Sequence, residues 1–260
     1  MAIYERWLRK KVLITARTYP VPSRKSIEVS CTAGIADDGN WIRLFPVPYR
    51  FLAPDKRFTK YQYIEADVTK SQSDSRLESY KINIDSIKIL SQPIKTIDKW
   101  GERKAKILPL ESRSLCFLQA ERDKNKVPTL GFFKPKTITS LKIDPATNSS
   151  WTADELASLL QYPLFGNTPP MQLEKLPYNF SYEFCCDEPN CPTHTLMCTD
   201  WEIGASYRAW RVKYGNQWRT KFEDRYETDM ILAKDTYFFV GTIHNHPDAW
   251  IIIGLFYPPK

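Results

Sequence analysis

Four of the six cysteines fall within residues 185–198: Cys185, Cys186 and Cys191 in the run Phe184-Cys185-Cys186-Asp187-Glu188-Pro189-Asn190-Cys191-Pro192-Thr193-His194, and Cys198 four positions further on. This crowding constrains the fold more than any other feature of the chain. A disulfide framework distributes its cysteines along a sequence, whereas a tight cluster with a histidine inside it has the spacing of a metal knuckle. Four residues separate Cys186 from Cys191 and two separate Cys191 from His194. The stretches Asp187–Asn190 and Pro192-Thr193 favour turns, so the backbone is able to wrap an ion. Thiolate and imidazole are the donors that zinc takes in a closed tetrahedral site. Cys186, Cys191 and His194 supply three ligands, and Cys198 is the nearest source of a fourth. The alternatives are Cys185, which alternates to the face opposite Cys186 in extended chain, and His244 or His246. A shell filled by protein donors implies structural zinc rather than a catalytic ion. Cys31 and Cys116 stand in apolar surroundings and read as core.

The segments around the knuckle have a consistent order. Phe180–Phe184 and Thr195–Cys198 read as strands flanking it. Ala205–Tyr214 reads as a helix ended by Gly215, and Gln217–Ala233 as a second helix. Tyr237–Ile243 and Trp250–Phe256 read as closing strands, joined through His244-Asn245-His246-Pro247-Asp248. The N-terminal third is richer in strands. Val12–Thr18, Ile27–Ile35, Asn40–Val47, Tyr61–Thr69 and Ile82–Ser91 are strand candidates, and Asp38-Gly39 is a hairpin signal between the second and third. Five short strands in about ninety residues suggest a small barrel or a strongly curved sheet. Residues 97–126 read as helix broken at Pro109, and Thr129–Leu141 as a return to sheet. Asp144–Ser150 is polar, Thr152-Ala153-Asp154-Glu155 has the capping-box pattern that opens a helix to about Gln161, and Gly166–Pro170 reads as a loop. The expectation is an α+β protein: a β-rich, barrel-like domain over 1–145, packed against a zinc-stabilised α+β unit over 146–260.

Charge narrows the choice of partner. The formal net charge is +7, and a basic chain gains sequence-independent affinity for polyanions by releasing counterions from phosphates. The run Ala205–Phe222 concentrates this, with Arg208, Arg211, Lys213, Arg219 and Lys221 and no acid. It interleaves Tyr207, Trp210, Tyr214, Trp218 and Phe222, of which the first three share one helical face. Basic groups track phosphates and aromatic planes stack on unpaired bases, so this run is the expected nucleic-acid interface, for RNA or DNA. Packed into a core, the same aromatics would simply leave the arginines as a solvated rim. Arg6, Arg9, Lys10 and Lys11, and the group Lys99, Arg103, Lys104 and Lys106, are further basic clusters.

Two segments carry letters of catalysis. Asp200 and Glu202, in Thr199-Asp200-Trp201-Glu202, are two carboxylates able to hold Mg²⁺ for phosphodiester cleavage; as helix caps they would do no chemistry. Gly241-Thr242-Ile243-His244-Asn245-His246-Pro247 resembles the metal-binding segment of JAMM-type isopeptidases, where His-x-His-Pro follows a strand. The Ser and Asp which that family carries further along are Gly254 and Tyr257 here, which removes a zinc ligand and the oxyanion helper. No Gly-rich phosphate loop and no Gly-x-Ser-x-Gly elbow occurs. No apolar run reaches the roughly 18 residues of a membrane helix, and the N-terminal run Val12–Ala16 is too short for a secretory core, so the expected location is the cytoplasm. The reading that unites these features is a zinc-containing nucleic-acid-binding protein, a subunit of a bacterial defence or nucleic-acid-processing complex. Its alternatives are a metal-dependent nuclease using Asp200 and Glu202, and a protein-interaction module docking through the aromatic helix 205–222.

Overall fold

The structure, a computed structural model, describes residues 6–161, 171–244 and 246–260; the loop expected at Gly166–Pro170 and residue Asn245 lie outside them. The fold is mixed α+β. Its contacts divide into two compact units, one of Met1–Ile94 with Asn148–Pro177 and one of Lys95–Thr147 with Tyr178–Lys260.

The first unit holds β1 (Leu8–Arg17), β2 (Val21–Ser23), β3 (Ile27–Ala36), β4 (Trp41–Val47), β5 (Tyr63–Lys70), β6 (Ser79–Ile82) and β7 (Lys88–Ile89). β1 pairs antiparallel with both β3 and β5, β3 with β4, and β5 with β6, while β4 and β6 run parallel. The ring β1-β3-β4-β6-β5 therefore closes into a five-stranded barrel. Period-two alternation places Val12, Ile14, Ile42, Leu44, Ile64, Ala66 and Val68 together in its buried core. β1 and β3 approach closely at Gly34, where a Cβ would lie 2.6 Å from the Leu13 carbonyl oxygen. The Asp-Gly hairpin forms as its residues dictate. Gly39 takes φ +78°, and the Asp38 carboxylate accepts the Asn40 amide at 3.0 Å. The strand expected over Ile82–Ser91 is broken instead. The Asn83 side chain accepts the Asp85 amide at 3.1 Å and turns the chain at Ile84–Ser86, a local bond that competes with the ladder.

The chain then enters the second unit with α1 (Ile97–Ile107) and α2 (Leu115–Asn125), separated around Pro109 as expected. Thr129–Leu141 splits into β8 (Leu130–Phe133) and β9 (Thr137–Pro145), which join different sheets. A return to the first unit forms α3 (Ala153–Leu159), opened by the Thr152–Glu155 capping box. The second unit resumes with β10 (Tyr178–Cys185), β11 (His194–Met197), α4 (Trp201–Tyr214), α5 (Trp218–Glu223), α6 (Asp229–Leu232), β12 (Tyr237–Ile243) and β13 (His246–Phe256). A π turn over Asp224–Thr228 joins α5 to α6, where one continuous helix was expected. The sheets are β11-β10-β9 and β13-β12-β8. This division by contacts differs from the expected boundary at 145/146. β8 and β9 take their partners from strands after residue 178, so pairing groups residues that the polar loop 144–150 seemed to separate. Among the described residues, no helix is long and apolar enough to cross a membrane.

Candidate metal centre

β10 and β11 form a hairpin in which Phe184 faces His194 in register, so the knuckle 186–193 is the hairpin's loop. A turn closes it, with the Cys191 amide donating to the Glu188 carbonyl at 3.2 Å, and Asn190 takes φ +60°. The loop therefore brings Cys186, Cys191 and His194 together, as their spacing implies.

The fourth member of the group is Cys116. Cys116, Cys186, Cys191 and His194 place their donor atoms all within 4.8 Å of one another, a group able to hold a metal ion. Cys116 Sγ lies 3.5 Å from Cys191 Sγ and 3.2 Å from His194 Nε2, and Cys191 Sγ lies 3.3 Å from that nitrogen. Zinc–ligand bonds of about 2.3 Å to sulfur and about 2.0 Å to nitrogen give tetrahedron edges of about 3.8 Å between sulfurs and about 3.5 Å from sulfur to nitrogen. The three separations among Cys116, Cys191 and His194 fall within a few tenths of an ångström of these edges, and Cys186 completes a set of four donors all within 4.8 Å of one another.

Cys116 reaches the group from the first turn of α2. Ser114 caps that helix, its hydroxyl accepting the Phe117 amide at 2.9 Å and donating to Glu188 Oε1 at 2.8 Å. Arg113 Nε donates to the same Glu188 oxygen at 2.6 Å, and Lys136 pairs with Asp187 at 2.7 Å. The loop is thus tied to the helix start and to the β8–β9 connection. Burial raises the Cys186 thiol, and the main-chain amides of Cys116 and Leu115 that donate toward it offset this only in part. Burial, with the Cys191 sulfur beside it, pushes the Cys116 thiol up to about 12. Burial lowers His194, which keeps the imidazole neutral and able to donate its lone pair. Protonated thiols and a neutral imidazole are the state from which a metal releases protons on binding.

Cys198, the expected fourth ligand, lies outside this group. It is buried at 5% exposure, its amide donates to the Phe180 carbonyl at 2.7 Å, and it bridges to Ile252, so the chain beyond β11 carries it away from the loop. Cys185 Sγ sits 3.8 Å from Thr193 Oγ1 and outside the group. His244 and His246 are exposed and also outside it. The sequence reading missed Cys116 because its place in the group depends on a partner seventy positions away. The one local signal was Ser114, an N-cap two residues before a cysteine.

The other expected site residues are placed as follows. Asp200 is 1% exposed. Its Oδ1 accepts the Glu202 amide at 2.9 Å and its Oδ2 accepts the Leu255 amide at 2.7 Å, so it caps α4 and ties it to β13. Glu202 accepts from the Tyr257 hydroxyl at 3.4 Å. Among the described residues, the Cys/His group alone brings three such donors together, and Asp200 and Glu202 belong to no group of three. Tyr207 and Phe222 are buried. Tyr207 meets Trp218 at 4.9 Å between ring centroids, Phe222 meets Phe180 at 4.9 Å, and Trp210 meets Phe222 at 6.0 Å. Tyr207 and Phe222 pack into the unit's interior, Trp210, Tyr214 and Trp218 are half-buried, and the cations lie at the rim. Arg219 pairs with Glu223 at 2.9 Å and Lys221 with Asp224 at 3.8 Å. Lys213 lies over Tyr214 and Arg211 over Tyr207, and Arg208 is half-buried.

A family model described as Domain of unknown function (DUF8757) matches residues 111–260, a span that includes all four members of the Cys/His group. A second, described as Domain of unknown function (DUF8758), matches residues 8–109, which include every barrel strand. Comparison with curated proteins finds no match.

Proposed function

The chain belongs to the DUF8757 family, and we propose that it is a zinc-containing nucleic-acid-binding protein in which the ion is structural. The observation that carries the metal reading is the donor set, three thiols and one imidazole whose donor atoms all lie within 4.8 Å of one another. Sulfur and imidazole nitrogen select zinc over magnesium or calcium, which take oxygen. Four protein donors leave no open position for water or substrate, so the ion holds the hairpin loop to α2 rather than performing chemistry.

The nucleic-acid reading rests on separate support. The net charge of +7 supplies phosphate affinity that needs no sequence recognition. The closed five-stranded barrel with one parallel pair has the architecture of OB-type domains, many of which bind oligonucleotides; that likeness is an analogy of fold. The nuclease reading has less support, since both Asp200 oxygens accept main-chain amides.

Two measurements test the proposal. Elemental analysis of the purified protein should return one zinc per chain, and material lacking stoichiometric zinc would overturn the metal reading. Fluorescence anisotropy with single- and double-stranded RNA and DNA, at about 50 and 200 mM salt, should show binding that weakens steeply with salt. No binding to any of the four at the lower salt would overturn the nucleic-acid reading.

A further inference from the structure

The acid-free run of α4 and α5 looked like the natural phosphate contact, but the structure redirects attention. Arg219 and Lys221 are ion-paired to acids just beyond the run, and Lys213 and Arg211 rest on the rings of Tyr214 and Tyr207. A different segment, Lys95–Lys106 at the start of the second unit, keeps its lysines available. It carries Lys95, Lys99, Arg103, Lys104 and Lys106 against two acids, Asp98 and Glu102. None of the four lysines forms an ion pair, side-chain hydrogen bond or ring contact with a described residue. Lys95, Lys99 and Lys106 are exposed and Lys104 half-buried. The fifth cation is positioned. The Arg103 guanidinium lies 4.8 Å from the Trp100 ring centroid, and Trp100 is held against Phe256 at 5.4 Å and Tyr257 at 5.3 Å. Asp98, Lys99 and Trp100 take φ values of 49°, 46° and 65°, so a left-handed turn separates Lys95 from the helical residues that bear Lys104 and Lys106.

We propose that Lys95–Lys106 is the surface that contacts the phosphate backbone of a nucleic-acid strand, with Trp100 and its overlying Arg103 holding the patch to the second unit. This rests on the nucleic-acid reading above and names the surface responsible for it. Charge complementarity selects the occupant. An unpaired lysine keeps its full charge for a phosphate, whereas one already paired to a carboxylate must break that contact first. Lysine acts as a point charge and reads no base, so the contact is independent of sequence.

The test replaces Lys95, Lys99, Lys104 and Lys106 together by glutamine in the full-length, metal-loaded protein. A control variant replaces Lys25, Lys88, Lys124 and Lys126, four other exposed lysines, and makes the same change in net charge. Binding to single-stranded RNA and DNA is followed by anisotropy across a salt series, with far-UV circular dichroism to show that both variants fold. The first variant is expected to lose at least about tenfold in affinity near 100 mM salt and to flatten the log–log salt dependence by roughly 2–3, the slope of about 0.7 per phosphate for single strands multiplied over four contacts. The control should lose less than about threefold. Equal losses in the two variants would make the effect one of overall charge and overturn the proposal. So would unchanged binding in the first variant. Selective loss of binding to anionic phosphatidylglycerol vesicles or to polyglutamate, with nucleic-acid affinity kept, would assign the patch to a membrane or an acidic protein and overturn it equally. If the unmodified protein binds no nucleic acid at all, it is the broader reading that fails.

Discussion

Cys116 belongs to the Cys/His group and Cys198 does not, and one substitution at each tests what that difference means for metal binding. Cys116→Ser removes a donor from the group, so the expected outcome is sub-stoichiometric zinc and a lowered melting temperature. Cys198→Ser changes a buried side chain outside the group, so zinc should remain stoichiometric and the cost should stay near about 1 kcal/mol. Elemental analysis beside thermal melts of both variants decides between them. In the barrel unit, Asp74 offers a test by pH. Burial pushes its carboxyl up, but hydrogen bonds from the Arg76 side chain and amide outweigh this and hold it well below the usual carboxylate range. The guanidinium reaches it at 2.8 Å through Nε and 2.7 Å through Nη2. A depressed native value means the stabilisation is complete above the unfolded value of about 3.9 and is lost as pH falls from there toward the native one. Asp74→Asn should cost about 1–3 kcal/mol at pH 7 and flatten the acid limb of the stability curve below about pH 4. An acid limb identical to that of the unmodified protein would contradict this.

At the scale of elements, helix starts do most of the joining. The Asp200 carboxylate caps α4 and also accepts an amide from β13, which explains why that helix begins at Trp201 rather than at the Ala205 expected from the amphipathic run alone. Asp200→Ala leaves two amides without their acceptor and should destabilise by about 2–4 kcal/mol, combining a lost cap with a lost charge-assisted bond; Asp200→Asn should cost less. Chemical denaturation measures both, and a near-neutral Asp200→Ala would return the residue to the list of candidates for chemistry. Ser114 plays a related part on α2, since its hydroxyl joins the helix start to Glu188 in the knuckle. Ser114→Ala should cost about 1–2 kcal/mol and weaken zinc binding about tenfold, as loss of support behind a ligand does. A competition titration against a chelator reads the second effect, which loss of a cap alone would not produce.

For the molecule as a whole, the metal group connects parts of the chain that lie far apart in sequence. Cys116 and Cys186 stand seventy positions apart, and a bond through an ion held there would close that long loop and remove much of its unfolded-state freedom. All four members of the group belong to the second unit, while the barrel has a core of its own. Chelation should therefore act on one unit. Hydrogen exchange after metal removal is expected to show loss of protection in β10, β11 and the first turn of α2, with β1, β3 and β5 unchanged. Equal loss in both units would show that the metal governs the whole fold.

The elements with strong local signals were legible in the sequence. The Asp-Gly hairpin, the Thr152 capping box, the break between α1 and α2 and three members of the metal group depend on residues within a few positions of each other, so local geometry determined them. The closed barrel followed in outline from strand density and alternation. The tertiary structure alone decided the rest, because those features join residues distant in the chain. Cys116 joins Cys186, Cys191 and His194 because α2 starts beside the knuckle. β8 and β9 belong with strands after residue 178 because pairing is set by shared sheets and not by sequence neighbours. Within the aromatic run of α4 and α5, Tyr207 and Phe222 are core because Phe180, Tyr226 and their neighbours are there to receive them, while Trp210, Tyr214 and Trp218 stay partly exposed. Composition counted the charges of the chain, but only the folded arrangement distinguished paired cations from unpaired ones.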